Sequence, residues 1–195
     1  PSASLWVKEQ NETASQQTPS GITDYFAGFA PSFPQESSAG ETELLAGNNP
    51  RQTLEAIPGA KQEVSYSSDL LSGTMQMGSQ ATESAFKATA GNTKILHLAT
   101  HGIVSDQTPA YNKLLFNQEP GSGEDGNLYT YELYNLDMQA DLAVLSACNT
   151  GYGPIKRGQG HMSLARGFKL AGCQNVLMTL WQIRDRVSTD LVKHF

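Results

Sequence analysis

An open α/β sandwich built on a parallel sheet is the fold class that the sequence predicts. Three short runs are apolar throughout rather than alternating, as is typical of strands covered on both faces: residues 95–99, 142–147 and 175–180. Helix-like segments alternate with these runs, which indicates helices packed on both faces of the sheet. In such sheets active sites lie beyond the carboxyl ends of the strands, so those ends hold the candidate functional residues.

Apolar periodicity, proline and glycine define the remaining elements. The short aromatic run at residues 25–30 is stopped by Pro31 and predicts a further buried strand. Thr82 is placed to cap a helix over residues 81–90, with Glu83 in its first turn. The sequence also predicts helices over 58–73, 129–136, 163–170 and from 186 onward, a strand over 74–77, a glycine-rich loop over 151–160, and a long mobile loop over 103–127 with a solvated tip at Glu124 and Asp125.

Composition and charge exclude several function classes. The chain has 195 residues, of which 38% are apolar and 16% charged, and this suits one domain with a filled core. The formal net charge is −6 and Lys and Arg are not clustered, which argues against direct nucleic-acid binding. No apolar run reaches the roughly 20 residues of a membrane span. Two cysteines do not make a disulfide framework, so we expect a cytoplasmic protein.

The domain boundary is expected near residue 23. Residues 7–23 are polar, and we interpret residues 1–22 as a linker or the end of a preceding region. Residues 23–195 are then a single domain. The helical pattern is still continuing at Phe195, which predicts that this domain is incomplete at its C-terminal end.

A histidine and a cysteine follow two of the predicted strands. His101 and Gly102 come after the run at 95–99, and Cys148 follows the run at 142–147. If these strands are parallel neighbours, an imidazole and a thiol emerge at the same edge of the sheet. A thiol needs a base or an imidazolium partner to become the nucleophilic thiolate. The backbone N–H groups of Gly102 and Cys148 are candidate donors to a substrate oxyanion.

Each of the other reactive side chains has an alternative interpretation. His97 and His101 stand on one face of a strand about 13 Å apart, so they cannot share a metal ion. We therefore expect His97 to be a hydrogen-bonded core histidine or a support for the active site. Cys173 is expected to be structural, and His161 either solvated or close to the active site. Cys148 itself has the alternative of an inert buried thiol.

Two sequence blocks carry a resemblance to a known family. Residues 95–102 and 145–151 resemble the histidine and cysteine blocks of CHAT domains, which are bacterial relatives of caspases, separases and gingipains, commonly fused to tetratricopeptide repeats. Further segments match the family in order, at 58–63, 81–86, 160–172 and 180–185. The resemblance covers roughly residues 25 to 195, and the two blocks in this order make it specific.

The resemblance implies a three-layer caspase–haemoglobinase sandwich and a cysteine endopeptidase that works through an acyl-enzyme, without metal or cofactor. His101 takes the place of the family's catalytic histidine, and Cys148 that of its nucleophile. By similarity to separases, Asp185 with Trp181 would line the first substrate pocket and select a basic side chain. A helix cap is the alternative for Asp185, and packing for Trp181. The expected partners are a protein or peptide substrate and a tetratricopeptide-repeat or other regulatory module.

Two departures from the family keep other functions open. Asn149 stands where many members carry Glu, and the caspase block Gln-Ala-Cys-x-Gly is absent, so a caspase preference for Asp is not expected. One alternative is a caspase-like interaction module that has lost turnover. Another is a thiol hydrolase or acyl transferase that uses the same pair of residues, because the pair defines acyl transfer but not the acyl group.

Overall fold

A parallel sheet forms the centre of the computed structural model, which describes residues 22–33, 56–105, 108–146 and 164–178, together with 155–156, 160–161 and 190. The strands in these ranges are β1 (Asp24–Ala30), β2 (Thr74–Met77), β3 (Thr93–Leu98), β4 (Gly102–Ile103), β5 (Lys113–Leu115), β6 (Asn127–Tyr129), β7 (Leu142–Leu145), β8 (Ile155–Lys156), β9 (Gly160–His161) and β10 (Val176–Met178). Five of them form the parallel sheet, in the order β2, β1, β3, β7, β10. The order reverses between β1 and β3, which is where open α/β sheets form a ligand crevice.

The helices in the described ranges confirm most of the predicted elements. They are α1 (Pro58–Leu71), α2 (Glu83–Ala90), α3 (Thr130–Leu133) and α4 (Leu164–Leu170). Thr82 caps α2 as predicted, since its hydroxyl oxygen accepts a hydrogen bond from the Ala85 N–H. The predicted α/β sandwich with a mostly parallel sheet is confirmed. No helix in these ranges has the length and apolar character needed to cross a membrane.

Successive side chains of the central strands point to opposite faces of the sheet, and elements pack on both faces, so the domain has three layers. Ala30 and Ala99 pack with Ala60 and Val64 of α1 on one face of the sheet. The other face carries the larger core, which includes Phe29 of β1 and these buried side chains from α2, α4, β3, β6 and the segment after β5: Phe86, Ala90, Leu96, Leu98, Phe116, Leu128, Leu164 and Phe168. The helices thus cover both faces, which explains why the central strands are apolar throughout.

The prediction of an irregular loop over residues 103–127 is wrong. Strands β4, β5 and β6 form a small antiparallel sheet in this segment, with Gly102 opposite Leu114 and Leu114 opposite Leu128. These strands have only two or three residues each, too few to show a period-2 pattern in the sequence. Burial of Leu114, Leu115 and Leu128 in the core stabilises the pairing.

Other predictions fall partly outside the described residues. Within the predicted glycine-rich loop, β8 pairs antiparallel with β9. The third predicted strand is observed as β10 up to Met178, and its last two residues lie outside the description. The predicted helix from residue 186 and the proposed linker over residues 1–22 also lie outside it, except for residues 22 and 190.

Helix α4 is followed by a left-handed turn at Gly172. The φ angle there is +106°, and the N–H of Cys173 closes the turn by donating to the carbonyl of Phe168 at 3.0 Å. A Cβ at residue 172 would lie 2.3 Å from the carbonyl oxygen of Met138. Both the backbone conformation and the available space therefore require glycine at this position.

We expect Gly172→Ala to lower the free energy of unfolding by about 2–3 kcal/mol, because it adds left-handed strain to a clash with main chain. Gly121→Ala is the matched control, since Gly121 also has a positive φ of +88° but no atom within 4 Å of its Cβ position. Strain alone should cost the control about 1 kcal/mol. Urea unfolding measures both losses, and equal losses would contradict the role assigned to Met138.

Candidate active site

The carboxyl ends of the central strands lie at one edge of the sheet. Leu98, the last residue of β3, pairs in register with Leu145 of β7 and with Phe29 of β1. The register continues past the strands, since the N–H of Ser146 donates to the carbonyl of Leu98 at 2.9 Å. The two strands that precede the candidate histidine and cysteine are therefore parallel, as the sequence predicted, and they are adjacent, which is the condition that the candidate pair requires.

His101 lies where the parallel sheet meets the small antiparallel sheet. Its carbonyl accepts a hydrogen bond from the N–H of Leu115 at 3.0 Å. Its half-buried ring meets the ring of Phe33 at a centroid distance of 4.7 Å and an angle of 61°. An edge-to-face contact of this kind restricts the orientation of the imidazole. The sequence prediction missed Phe33, although its place between Pro31 and Pro34 beyond a buried strand was a signal.

The residues on either side of His101 are held by the hairpin of β4 and β5, which is part of the small antiparallel sheet. Thr100 is buried, and its hydroxyl donates to the carbonyl of Leu115. Gly102 begins β4 and pairs with Leu114. These bonds fix the backbone before and after the imidazole. The role of the Gly102 N–H as an oxyanion donor stays a prediction.

Asn117 connects the hairpin to the exit of β1. Its side chain accepts from the N–H of Ser32 at 3.0 Å and donates to the carbonyl of Ser32 at 2.9 Å. Its own N–H donates to the carbonyl of Ala81, just before α2, at 3.0 Å. The side chain and the backbone of this one residue thereby link three segments at the edge that carries His101, and nothing in the local sequence pattern predicted this.

Several predicted site residues belong to segments of the chain that the structure does not describe. Cys148, Trp181 and Asp185 lie outside the described residues, as does the side chain of His161. The described residue that comes before Cys148 is Ser146, two positions earlier. The predicted roles of these residues therefore stay predictions.

A buried polar group lies on the α1 face of the sheet, beneath this edge. Glu63 of α1 and His97 of β3 are 1% and 2% exposed, and the Nε2 of His97 lies 2.8 Å from the Oε1 of Glu63. The hydroxyl of Ser146 donates to the same carboxylate oxygen. His97 is thus a hydrogen-bonded buried histidine.

This group does not have the geometry of a serine nucleophile. In a catalytic triad the imidazole uses one nitrogen for the serine and the other for the acid. Here the Nε2 of His97 faces both partners, since it lies 3.5 Å from the Oγ of Ser146 and 2.8 Å from Glu63. The hydroxyl of Ser146 donates its hydrogen bond to the carboxylate instead of to the imidazole, so the group lacks the serine–imidazole–acid order of a triad.

Three carboxylates surround Lys87 on the opposite side of the sheet. The Lys87 Nζ lies 2.7 Å from Glu83, 2.7 Å from Glu124 and 2.9 Å from Glu132. Among the described residues, these acidic side chains lie close enough together to hold a metal ion, but Lys87 takes the position of the cation. The prediction of a solvated tip is confirmed for Asp125, which is exposed, but Glu124 is partly buried because its ion pair with Lys87 holds it against α2.

Burial is the main cause of the unusual proton affinity of Glu83. Although Lys87 favours the charged form, burial and the charge of Glu132 raise the pKa of Glu83 to about 7. The hydrogen bond from Lys87 lowers the pKa of Glu124. Burial opposes the charge of Lys87, but its hydrogen bonds to the three carboxylates outweigh burial and raise the pKa of the ammonium.

Stability is expected to fall as the pH rises from 5 to 7. With a pKa raised from 4.5 to about 7, Glu83 binds more protons in the folded protein than in the unfolded chain over this range. The slope from this one proton is at most about 1.4 kcal/mol per pH unit. Glu83→Gln should flatten the curve, because glutamine does not ionise. Urea unfolding at pH 5.0, 6.0 and 7.0 measures it, and parallel curves for the two proteins would disprove the assignment.

The second cysteine has the properties of a structural thiol. Cys173 is 1% exposed within the larger core. Its Sγ donates to the carbonyl of Asn175 at 3.0 Å, and burial raises its pKa. Because the thiolate is the reactive form, Cys173 is protected both from solvent and from ionisation.

Comparison with protein families matches residues 5–195 to the CHAT domain. The chain belongs to the CHAT domain family. CHAT domains are caspase-like domains related to peptidases, and the mostly parallel five-stranded sheet of this one agrees with a caspase-like fold. A comparison with curated proteins found no match. In this CHAT domain the first block that carries the family resemblance begins within β3, and the second begins at Leu145, the last residue of the adjacent strand β7.

Proposed function

We propose that this CHAT domain is a cysteine endopeptidase in which His101 and Cys148 form the catalytic pair. The observation that carries the proposal is the pairing of β3 with β7, in parallel and in register up to their last residues. His101 follows Leu98 by three residues, and Cys148 follows Ser146 by two. A residue spans at most about 3.6 Å, so chain connectivity keeps the Cα of Cys148 within about 7 Å of that of Ser146.

The proposed reaction uses the chemistry of these two side chains. His101 takes the proton of Cys148, and the thiolate attacks the carbonyl carbon of the scissile peptide bond. The N–H groups of Gly102 and Cys148 bind the oxyanion. His101 then protonates the leaving amine, and the acyl-enzyme forms. A water molecule deprotonated by His101 attacks this thioester, which releases the acid and returns the proton to the sulfur.

The substrate is proposed to be a polypeptide with a basic residue before the scissile bond. The support is the acidic side chain of Asp185 in the segment that resembles the separase pocket, which also contains Trp181. A carboxylate in a pocket favours lysine and arginine by charge complementarity. A tetratricopeptide-repeat or other regulatory module is the proposed partner that controls access to the site.

The test is labelling with a thiol-directed acylating probe, combined with digestion of a peptide library. Wild-type protein should carry the probe on Cys148 and not on Cys173, as located by peptide mass spectrometry. Library peptides with Lys or Arg before the cleaved bond should be preferred over peptides with Asp. His101→Ala should prevent both reactions, because the thiol then lacks its base. A protein that takes up no probe and cleaves no peptide, while folded, would favour an interaction module.

A further inference from the structure

We propose that Glu63, His97 and Ser146 position the catalytic edge, with Glu63 as the shared acceptor that holds the ends of β3 and β7 against α1. The inference rests on the proposed function, and it assigns Glu63 and Ser146 as positioning residues rather than catalytic ones. These three residues are called the acceptor cluster below.

The first argument is that one carboxylate oxygen joins three elements. The Oε1 of Glu63 receives the hydroxyl of Ser146 and lies 2.8 Å from the Nε2 of His97. Both contacts converge on a single oxygen, so one side chain of α1 reaches the side chain of β3 and that of the residue that follows β7. The contact therefore fixes β3 and β7 relative to the helix α1.

The second argument is the energetic cost of the cluster. Glu63 and His97 are almost fully buried, the ring of Phe26 meets His97 at 6.2 Å, and Val64 packs on the same face. Burial of polar groups costs free energy that their mutual hydrogen bonds only partly offset, and apolar residues of similar volume are often as good for stability. Three polar groups in this apolar layer are therefore poorly explained by stability alone, whereas accurate positioning explains them.

The third argument is the position of Ser146 at the end of β7. Its N–H donates to the carbonyl of Leu98 at 2.9 Å, and its hydroxyl donates to Glu63. Backbone and side chain are thus both anchored at the residue two positions before Cys148. His97 stands four positions before His101 in the neighbouring strand. Small displacements at a catalytic group reduce rates strongly, so these anchors set the geometry of the pair.

The test measures the reactivity of Cys148 independently of peptide hydrolysis. The rate of alkylation of Cys148 by iodoacetamide at pH 6.0 reports the fraction and the reactivity of its thiolate, because a free cysteine is almost fully protonated at this pH. Ser146→Ala and Glu63→Gln should each lower this rate and kcat by about 10- to 100-fold, with KM changed less than about twofold. Ser146→Thr keeps the hydroxyl and should restore most of the wild-type rate.

Two matched controls separate positioning from general loss of stability. Ser68→Ala removes a hydroxyl that donates to the carbonyl of Gly73 at 2.8 Å, at the far end of α1. Glu83→Gln removes a buried carboxylate on the opposite side of the sheet. Both should leave alkylation of Cys148 within about twofold of wild type, because neither belongs to the acceptor cluster, and Ser68→Ala should lower the melting temperature.

The possible outcomes distinguish the inference from the proposed function. Slow alkylation in Ser146→Ala with rescue in Ser146→Thr would support positioning, even if Glu63→Gln failed to fold. Variants of the cluster that lose only stability, while Cys148 reacts as in wild type, would overturn the inference alone. Wild-type Cys148 that reacts no faster than free cysteine at pH 6.0 would overturn the proposed function, and the inference with it.

Discussion

Cys148→Ala is expected to lower the rate of peptide hydrolysis by at least about 1,000-fold, the largest effect predicted for this domain. Alanine removes the sulfur that is proposed to form the acyl-enzyme, and Ser146, two positions earlier, lacks the serine–imidazole–acid order of a catalytic triad. The hydroxyl of Ser146 donates a hydrogen bond to Glu63. The His97 nitrogen that faces this hydroxyl is the one that already contacts the carboxylate. The measurement is kcat/KM on a peptide selected from the library.

The matched control for this variant is Cys173→Ala. It removes the other thiol of the chain, which is buried in the larger core and has a raised pKa. Activity should stay within about threefold of wild type, although the lost packing lowers the melting temperature. Equal losses of activity in the two variants, or full activity in Cys148→Ala, would contradict the assignment of the nucleophile.

Phe86→Ala is expected to have the largest effect on stability, about 3–5 kcal/mol. Phe86 is fully buried on α2. Its ring lies 5.7 Å from Phe29, 5.5 Å from Phe116 and 6.3 Å from Phe168. These partners come from β1, from the segment after β5 and from α4, so a cavity at residue 86 loosens the contact between all of these elements.

Chemical unfolding followed by circular dichroism measures this loss. Leu70→Ala is the control, because Leu70 belongs to α1 but is 59% exposed, and it should change the unfolding free energy by no more than about 0.5 kcal/mol. Phe86→Leu should lie between wild type and Phe86→Ala, since it removes less volume. A loss below about 1 kcal/mol for Phe86→Ala would show that the core closes over the cavity.

Local sequence patterns predicted the elements whose signal is contained in one segment. The run at residues 95–99 and the pattern after Pro58 indicated a strand and a helix, observed as β3 and α1. Thr82 was predicted as a cap because its side chain and the start of α2 are neighbours in sequence. The small antiparallel sheet of β4, β5 and β6 was missed, because strands this short are defined by their pairing partners and not by their own periodicity.

Some residues of the candidate site could likewise be predicted from the sequence, and others could not. His101 and Gly102 could be selected because a histidine and a glycine directly follow a buried strand. Phe33 and Asn117 could not be connected to His101 from the sequence, since their contacts depend on how the exit of β1 meets the hairpin. The ion pair of Glu124 was missed because its partner Lys87 is 37 residues away in the sequence.

The sequence by itself determined the fold class, the family resemblance and the two strand ends that carry an imidazole and a thiol. Those properties depend on residue type and short-range spacing, which every segment carries with it. Only the tertiary structure decided that Glu63 meets His97 across 34 residues and Ser146 across 83. Such contacts depend on which face of the sheet a helix covers and on the order of its strands, and local periodicity contains neither.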